Sequence, residues 1–105
     1  MNSLVSLESI YLDGSKVTDP SLKLLAELPR LHTLSFAGTA ITDTGVAHLA
    51  AAKLLRELYL NNTAVTDACC ATLSKLRNLS HLDLRKTRVT DMAVQKLKGD
   101  IIGLV

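Results

Sequence analysis

Apolar residues recur along this chain at a fixed interval of 24 positions. Aligned on Leu7, Leu31, Leu55 and Leu79, the sequence divides into four equal segments, 7–30, 31–54, 55–78 and 79–102, without insertion or deletion. Position 1 is always Leu, and position 4 is Ile10, Leu34, Leu58 or Leu82. Position 6 is Leu12, Phe36, Leu60 or Leu84, and position 11 is Val17, Ile41, Val65 or Val89. Positions 4 and 6 alternate with variable residues, which predicts a short half-buried strand. Further on, apolar residues at positions 16, 19 and mostly 22, such as Leu22, Leu25 and Leu28, follow a helical spacing. Position 13 is always Asp and is always preceded by Thr. Asp19-Pro20 reads as an N-cap followed by proline at the first helical position, and the Asp column (Asp19, Asp43, Asp67, Asp91) is expected to cap four helices. Each segment is thus strand, turn, short helix and return. Stacking such units buries one continuous core, with parallel strands on one side and helices on the other.

The pattern L-x-x-L-x-L-x-x-T-x-[VI]-T-D resembles the leucine-rich repeat family, whose consensus is L-x-x-L-x-L-x-x-N-x-L. The likeness runs from Leu7 to Ile102. Within the family, G-T-x-[IV]-T-D-x-G, clearest from Gly38 to Gly45, is similar to repeats of bacterial and protozoan proteins and to the longer repeats attached to F-box proteins. The resemblance implies an α/β fold, a right-handed solenoid with short parallel strands on its concave face and short helices on its convex face. It covers a single domain, 1–105, with partial repeats at both ends. The chain departs from the family at position 9, where Ser15, Thr39, Thr63 and Thr87 replace the Asn ladder. A hydroxyl still donates and accepts, so a ladder of altered geometry is expected.

Positions 2, 3, 5, 7 and 8 vary from repeat to repeat and are predicted to project from the strand face. Position 3 holds Ser9, Thr33, Glu57 and His81, and position 5 holds Tyr11, Ser35, Tyr59 and Asp83. Position 7 holds Asp13, Ala37, Asn61 and Arg85, and position 8 holds Gly14, Gly38, Asn62 and Lys86. The resemblance implies that this face binds a protein partner. Tyrosine and arginine are frequent interface anchors, so Tyr11, Glu57, Tyr59, Asn61, His81, Asp83, Arg85 and Lys86 are the candidate contact residues.

Composition sharpens this picture. Leu fills 21 of 105 positions, yet only 3% of residues are aromatic and none is Trp. Narrow aliphatic layers account for that: Phe36 takes a core position, while Tyr11 and Tyr59 share an outward column. A net charge of +2 is too small to argue for nucleic acid or a membrane surface. The charge nevertheless climbs along the repeats, from −1 in the first to 0, +1 and +2. Arg85, Lys86 and Arg88 cluster at the end of the last strand and would steer an acidic partner segment. No aromatic platform accompanies them, so nucleic acid is not expected.

Chemistry-bearing motifs are sparse. His32, His48 and His81 fall in different columns without metal-ligand spacing, and no catalytic constellation or cofactor loop is present. Neither a metal nor a cofactor is therefore expected. Cys69 and Cys70 are adjacent, a poor geometry for a disulfide. Cys70 shares a column with Leu22, Val46 and Val94 and is predicted to be buried and inert, and Cys69 falls in a column of small residues, Ser21, Gly45 and Ala93, which suggests close helix packing. No apolar run reaches the roughly 18 residues of a membrane span. The absence of a basic, cleavable leader together with free thiols predicts an intracellular, cytoplasmic setting.

The ends lack polar caps: Leu4 occupies the place of Leu28, and Ile102 and Val105 resemble positions 1 and 4 of a fifth strand after a one-residue slip. Such ends predict homo-association or a longer array. The expected function is a non-catalytic protein-interaction module. The F-box-like similarity also raises a substrate-recognition arm of a ubiquitin-ligase-type or other regulatory enzyme, and the bare architecture raises a structural spacer.

Overall fold

The computed structural model describes residues 8–98 and 103–104. Five strands, β1 (Ser9–Tyr11), β2 (Thr33–Ser35), β3 (Glu57–Tyr59), β4 (His81–Asp83) and β5 (Gly103–Leu104), form one parallel sheet in sequential order. Between them lie α1 (Asp19–Leu25), α2 (Asp43–His48) continued by a 3₁₀ turn (Leu49–Ala51), a 3₁₀ turn (Asp67–Cys69) leading into α3 (Cys70–Leu73), and α4 (Asp91–Lys98). The pairing Ile10–Leu34–Leu58–Leu82 is in register across four strands, which is the 24-residue period in space. Leu34, Phe36, Leu58 and Leu60 are fully buried, with Leu22, Val46, Leu49 and Leu73 of the helical segments against them. Each such aliphatic side chain contributes about 1.5–3 kcal/mol by leaving water.

In the first three repeats the threonine, not the aspartate, is the N-cap. Thr18, Thr42 and Thr66 have extended backbone (φ −127°, −122° and −124°), and Asp19, Asp43 and Asp67 are the first residues of the helical turns. This corrects the capping role expected for Asp19, Asp43 and Asp67. Each of these carboxylates instead reaches forward to the next repeat. Asp19 Oδ1 accepts from Thr42 N at 2.8 Å, Asp43 Oδ1 from Thr66 N at 2.8 Å, and Asp67 Oδ1 from Thr90 N at 2.6 Å. The same three threonine hydroxyls donate to the second carboxylate oxygen. The aspartates therefore staple repeat to repeat.

Position 9 also behaves differently from a ladder. Thr39, Thr63 and Thr87 Oγ1 donate to the carbonyls of Phe36, Leu60 and Leu84 at 2.7, 2.6 and 2.6 Å, three residues back in their own turns. Adjacent repeats are joined there by main chain, as in Gly38 N to Asn61 O at 3.1 Å and Asn62 N to Arg85 O at 2.9 Å. The preceding position turns the chain through the left-handed region: φ is 67° at Gly14, 69° at Gly38, 58° at Asn62 and 58° at Lys86. Position 8 thus answers to backbone geometry first, with Gly and Asn the residues that suit it.

The fifth strand is present but with a different register. Gly103 pairs with His81 and Leu104 with Leu82, so Leu104 rather than Val105 takes position 4. The slip is two residues, not one. The expectations for Leu4, Ile102 and Val105 themselves fall outside the described residues.

Candidate interaction face

Parallel register sets the variable residues in rows across the sheet. One row is Ser9, Thr33, Glu57, His81, and the next is Tyr11, Ser35, Tyr59, Asp83. Their exposure is uneven. Tyr11 is 67% exposed and His81 is exposed, Glu57 and Tyr59 are half-buried, and Thr33, Ser35 and Asp83 are buried. The side chains of β2 on this face are small, and Thr33 and Ser35 are covered by their neighbours, while Ala37 just past the strand is half-buried.

These side chains carry their own hydrogen bonds. Ser35 Oγ donates to Asp13 Oδ1, which also accepts from Ala37 N at 3.1 Å. Thr33 Oγ1 lies 2.8 Å from His32 Nδ1, and the other ring nitrogen of His32 is 3.3 Å from Glu8 Oε1. On β3, the Tyr59 hydroxyl donates to Glu57 Oε1 at 2.7 Å. That bond, partial burial and the negative charge beside it push the Tyr59 phenol up to about 12. Tyr59 is a fixed, neutral ring.

Asp83 and Arg85 form a second unit. The Arg85 guanidinium donates through Nε at 3.1 and 3.3 Å and through Nη2 at 2.8 Å, and the Arg85 main-chain N–H adds a bond at 3.0 Å. These bonds hold the Asp83 carboxyl below its ordinary range despite its burial. The pairing also changes the basic cluster, since the charge of Arg85 is balanced locally. Lys86 and Arg88 have no ion-pair partner among the described residues. Arg85 and Lys86 line a concavity of about 300 Å³ with Asn61 and Asn62.

Of the candidate residues, the structure brings together Glu57 with Tyr59, Asp83 with Arg85, and Asn61 with Arg85 and Lys86. Tyr11 stands two strands from Tyr59, across Ser35. Sequence reasoning passed over Asp13, Thr33 and Ser35 as site residues. Their signal was present in the run of small residues on β2 beside larger ones on both neighbours.

The helix side holds the cysteines, and Cys70 is less buried than expected. Cys69 is buried and Cys70 only half-buried. Gly45, in the same column as Cys69, is likewise buried, and Cys70 lies on the wall of a groove of about 360 Å³ with Met92, Lys96 and Leu97. Burial raises both thiols above their ordinary range. Among the described residues, no group of three or more His, Cys, Asp or Glu side chains is placed to hold a metal ion. No helix among them is long and apolar enough to cross a membrane.

No protein-family model matches the chain, and no curated protein sequence matches it. Among solved structures it is similar to an internalin (inlF) from Listeria monocytogenes strain 4b F2365, with a TM-score of 0.56 and 23% identity over 84% of this chain. The match occupies 31% of the internalin's length. This likeness is one of fold, a leucine-rich-repeat-like arrangement of parallel strands and short helices.

Proposed function

We propose that the chain is a non-catalytic protein-interaction module that binds its partner through the strand face. In this reading the array is a right-handed solenoid and the sheet is its concave side. One observation supports the reading: the repeating apolar positions pack into one core, whereas the variable strand positions are gathered in rows on one face. A rigid grid of side chains loses little conformational entropy on binding. Tyr11, Glu57, Tyr59, Asn61, His81, Arg85 and Lys86 supply the contacts, and buried Asp83 orients Arg85. Lys86 and Arg88 favour an acidic partner segment at the last repeat.

The test is affinity capture with Tyr59→Ala and Lys86→Glu on the strand face, set against Leu24→Ser and Met92→Ser on the helix face. Both Leu24 and Met92 are exposed, at 70% and 74%. Loss of the captured protein from the strand-face variants alone supports the proposal. Loss from the helix-face variants with the strand-face variants intact overturns it.

A further inference from the structure

Resting on the interaction reading, we propose that the concavity between the turns after β3 and β4 receives the carboxylate of an aspartate or glutamate side chain of the partner. Four residues, Asn61, Asn62, Arg85 and Lys86, line this space of about 300 Å³, and none of them is acidic. The two turns are held side by side by the main-chain bond from Asn62 N to Arg85 O at 2.9 Å. Each turn is also braced internally, Thr63 Oγ1 donating to the Leu60 carbonyl and Thr87 Oγ1 to the Leu84 carbonyl, both at 2.6 Å. The four side chains therefore project from fixed backbone. The matching positions of the first two repeats are Asp13-Gly14 and Ala37-Gly38, which offer no side-chain donor to an anion.

The guanidinium of Arg85 supplies the first argument. Its Nε donates to Asp83 at 3.1 and 3.3 Å and its Nη2 at 2.8 Å, and Asp83 is itself buried. That pairing fixes the plane of the group along one edge. Both N–H groups of Nη1 and the second one of Nη2 keep no partner among the described residues. Together they form a second fork, of the shape that takes a carboxylate bidentately. Because Asp83 orients this fork in advance, little freedom is lost when a ligand engages it.

Lys86 supplies the second. It takes φ 58° at a position held elsewhere by Gly14, Gly38 and Asn62. Backbone alone favours glycine or asparagine in that conformation. Strained backbone of this kind collects at ligand clamps, and the strain here carries an ammonium without an ion-pair partner among the described residues.

Charge then selects the ligand. Asp83 offsets Arg85, so the lining keeps the single positive charge of Lys86. A carboxylate balances that charge, whereas a phosphate group, closer to a dianion at neutral pH, exceeds it. The amides of Asn61 and Asn62 add neutral donors for the remaining lone pairs of a carboxylate.

The experiment is a ¹⁵N–¹H NMR titration of the full chain at low ionic strength, where exposed charges are least screened. The probe is N-acetyl-L-glutamate N-methylamide, run beside its neutral glutamine counterpart and beside inorganic phosphate. Saturable shifts at the amides of Asn62, Arg85 and Lys86 with the glutamate probe, and none with glutamine, are the expected result. Lys86→Asn keeps a residue suited to the left-handed turn and should weaken binding about five-fold, as for loss of one exposed ion pair. Arg85→Lys keeps the charge but not the fork, and should weaken it about ten-fold. Equal shifts with glutamine, tighter binding of phosphate, full affinity in Lys86→Asn, or no saturable shift overturn the proposal. Partner capture lost in Tyr59→Ala, with no probe response, would sink the carboxylate site and leave the interaction reading intact. Probe binding with capture abolished only by helix-face variants would do the reverse.

Discussion

Asp43 and Thr66 are joined by two hydrogen bonds across the boundary between repeats, Thr66 N to Oδ1 at 2.8 Å and Thr66 Oγ1 to Oδ2 at 2.6 Å. The Thr66 hydroxyl also accepts from Ala68 N at 3.2 Å, so one side chain couples the carboxylate of one repeat to the helical turn of the next. The carboxylate sits at the first turn of its own helix and beside the start of the following one, where the helix dipole favours negative charge. Asp43→Ala should destabilise the fold by about 2 kcal/mol, as expected for losing charge-assisted bonds at a half-buried site. Asp43→Asn should cost about half as much, since the amide oxygen still accepts from Thr66 N. Urea unfolding of the two variants checks the order.

Acid should loosen the same staples in a defined direction. Asp67 is held below its ordinary 3.8 by the main-chain and hydroxyl donors of Thr90, and Asp83 is held below it by the Arg85 guanidinium. A carboxyl with a depressed folded pKa contributes its full stability above the unfolded value. That contribution is lost as pH falls below about 3.8 and through the folded value. Melting temperature followed from pH 6 to pH 2 should therefore drop on the acid side, and Asp67→Asn should flatten part of the drop. An unchanged acid profile in Asp67→Asn would remove the staple from the account.

The row structure and the core columns were legible in the sequence because both follow from the 24-residue period alone. What the period hid were relationships between repeats. Thr-Asp read within one repeat looks like a cap, and only stacking brings Asp19 to Thr42, 23 positions on. Position 8 looked like a contact column because Lys86 and Asn62 broke the run of glycines, although all four share a left-handed backbone. The Cys70 column misled because its burial varies along the array: Leu22 and Val46 are buried, whereas Cys70 and Val94 in the later repeats are half-buried.

Lys86 adopts φ 58°, a conformation that costs a side-chain-bearing residue about 1 kcal/mol. Lys86→Gly should relieve it and raise stability by up to about 1 kcal/mol, offset by the greater freedom of glycine in the unfolded chain. The reciprocal change, Gly38→Val at φ 69°, should destabilise by more than 1 kcal/mol because a β-branched residue strongly resists the left-handed region. Calorimetry on the pair checks both signs. Stabilisation by Gly38→Val would contradict the turn geometry.

The two thiols should differ in access but share low reactivity. Both are raised above the ordinary range, Cys69 by deep burial and Cys70 by partial burial on the groove wall. Thiolate is the reactive form, so an aromatic disulfide reagent at pH 8 should label Cys70 slowly in the folded protein. Cys69 should react only at the rate of unfolding, and denaturant should release both at once. Rapid labelling of Cys69 in native buffer would contradict its packing.

Gly45 separates two competing effects on one helix. Alanine in a helix interior normally gains about 0.5–1 kcal/mol over glycine. Here a Cβ would overlap the Asp19 carboxylate and stand 3.0 Å from Asp19 Cγ and 3.2 Å from Ile41 Cγ2. That carboxylate cannot swing aside freely, because both oxygens are bonded to Thr42. Gly45→Ala should therefore destabilise by about 1–2 kcal/mol, the overpacking term exceeding the propensity gain. With the carboxylate removed, the balance should reverse: in an Asp19→Ala background, Gly45→Ala should be neutral or stabilising. A double-mutant cycle measured by urea unfolding isolates the coupling. Simple additivity of the two substitutions would show that the close approach of Asp19 to the second helix does not constrain position 45.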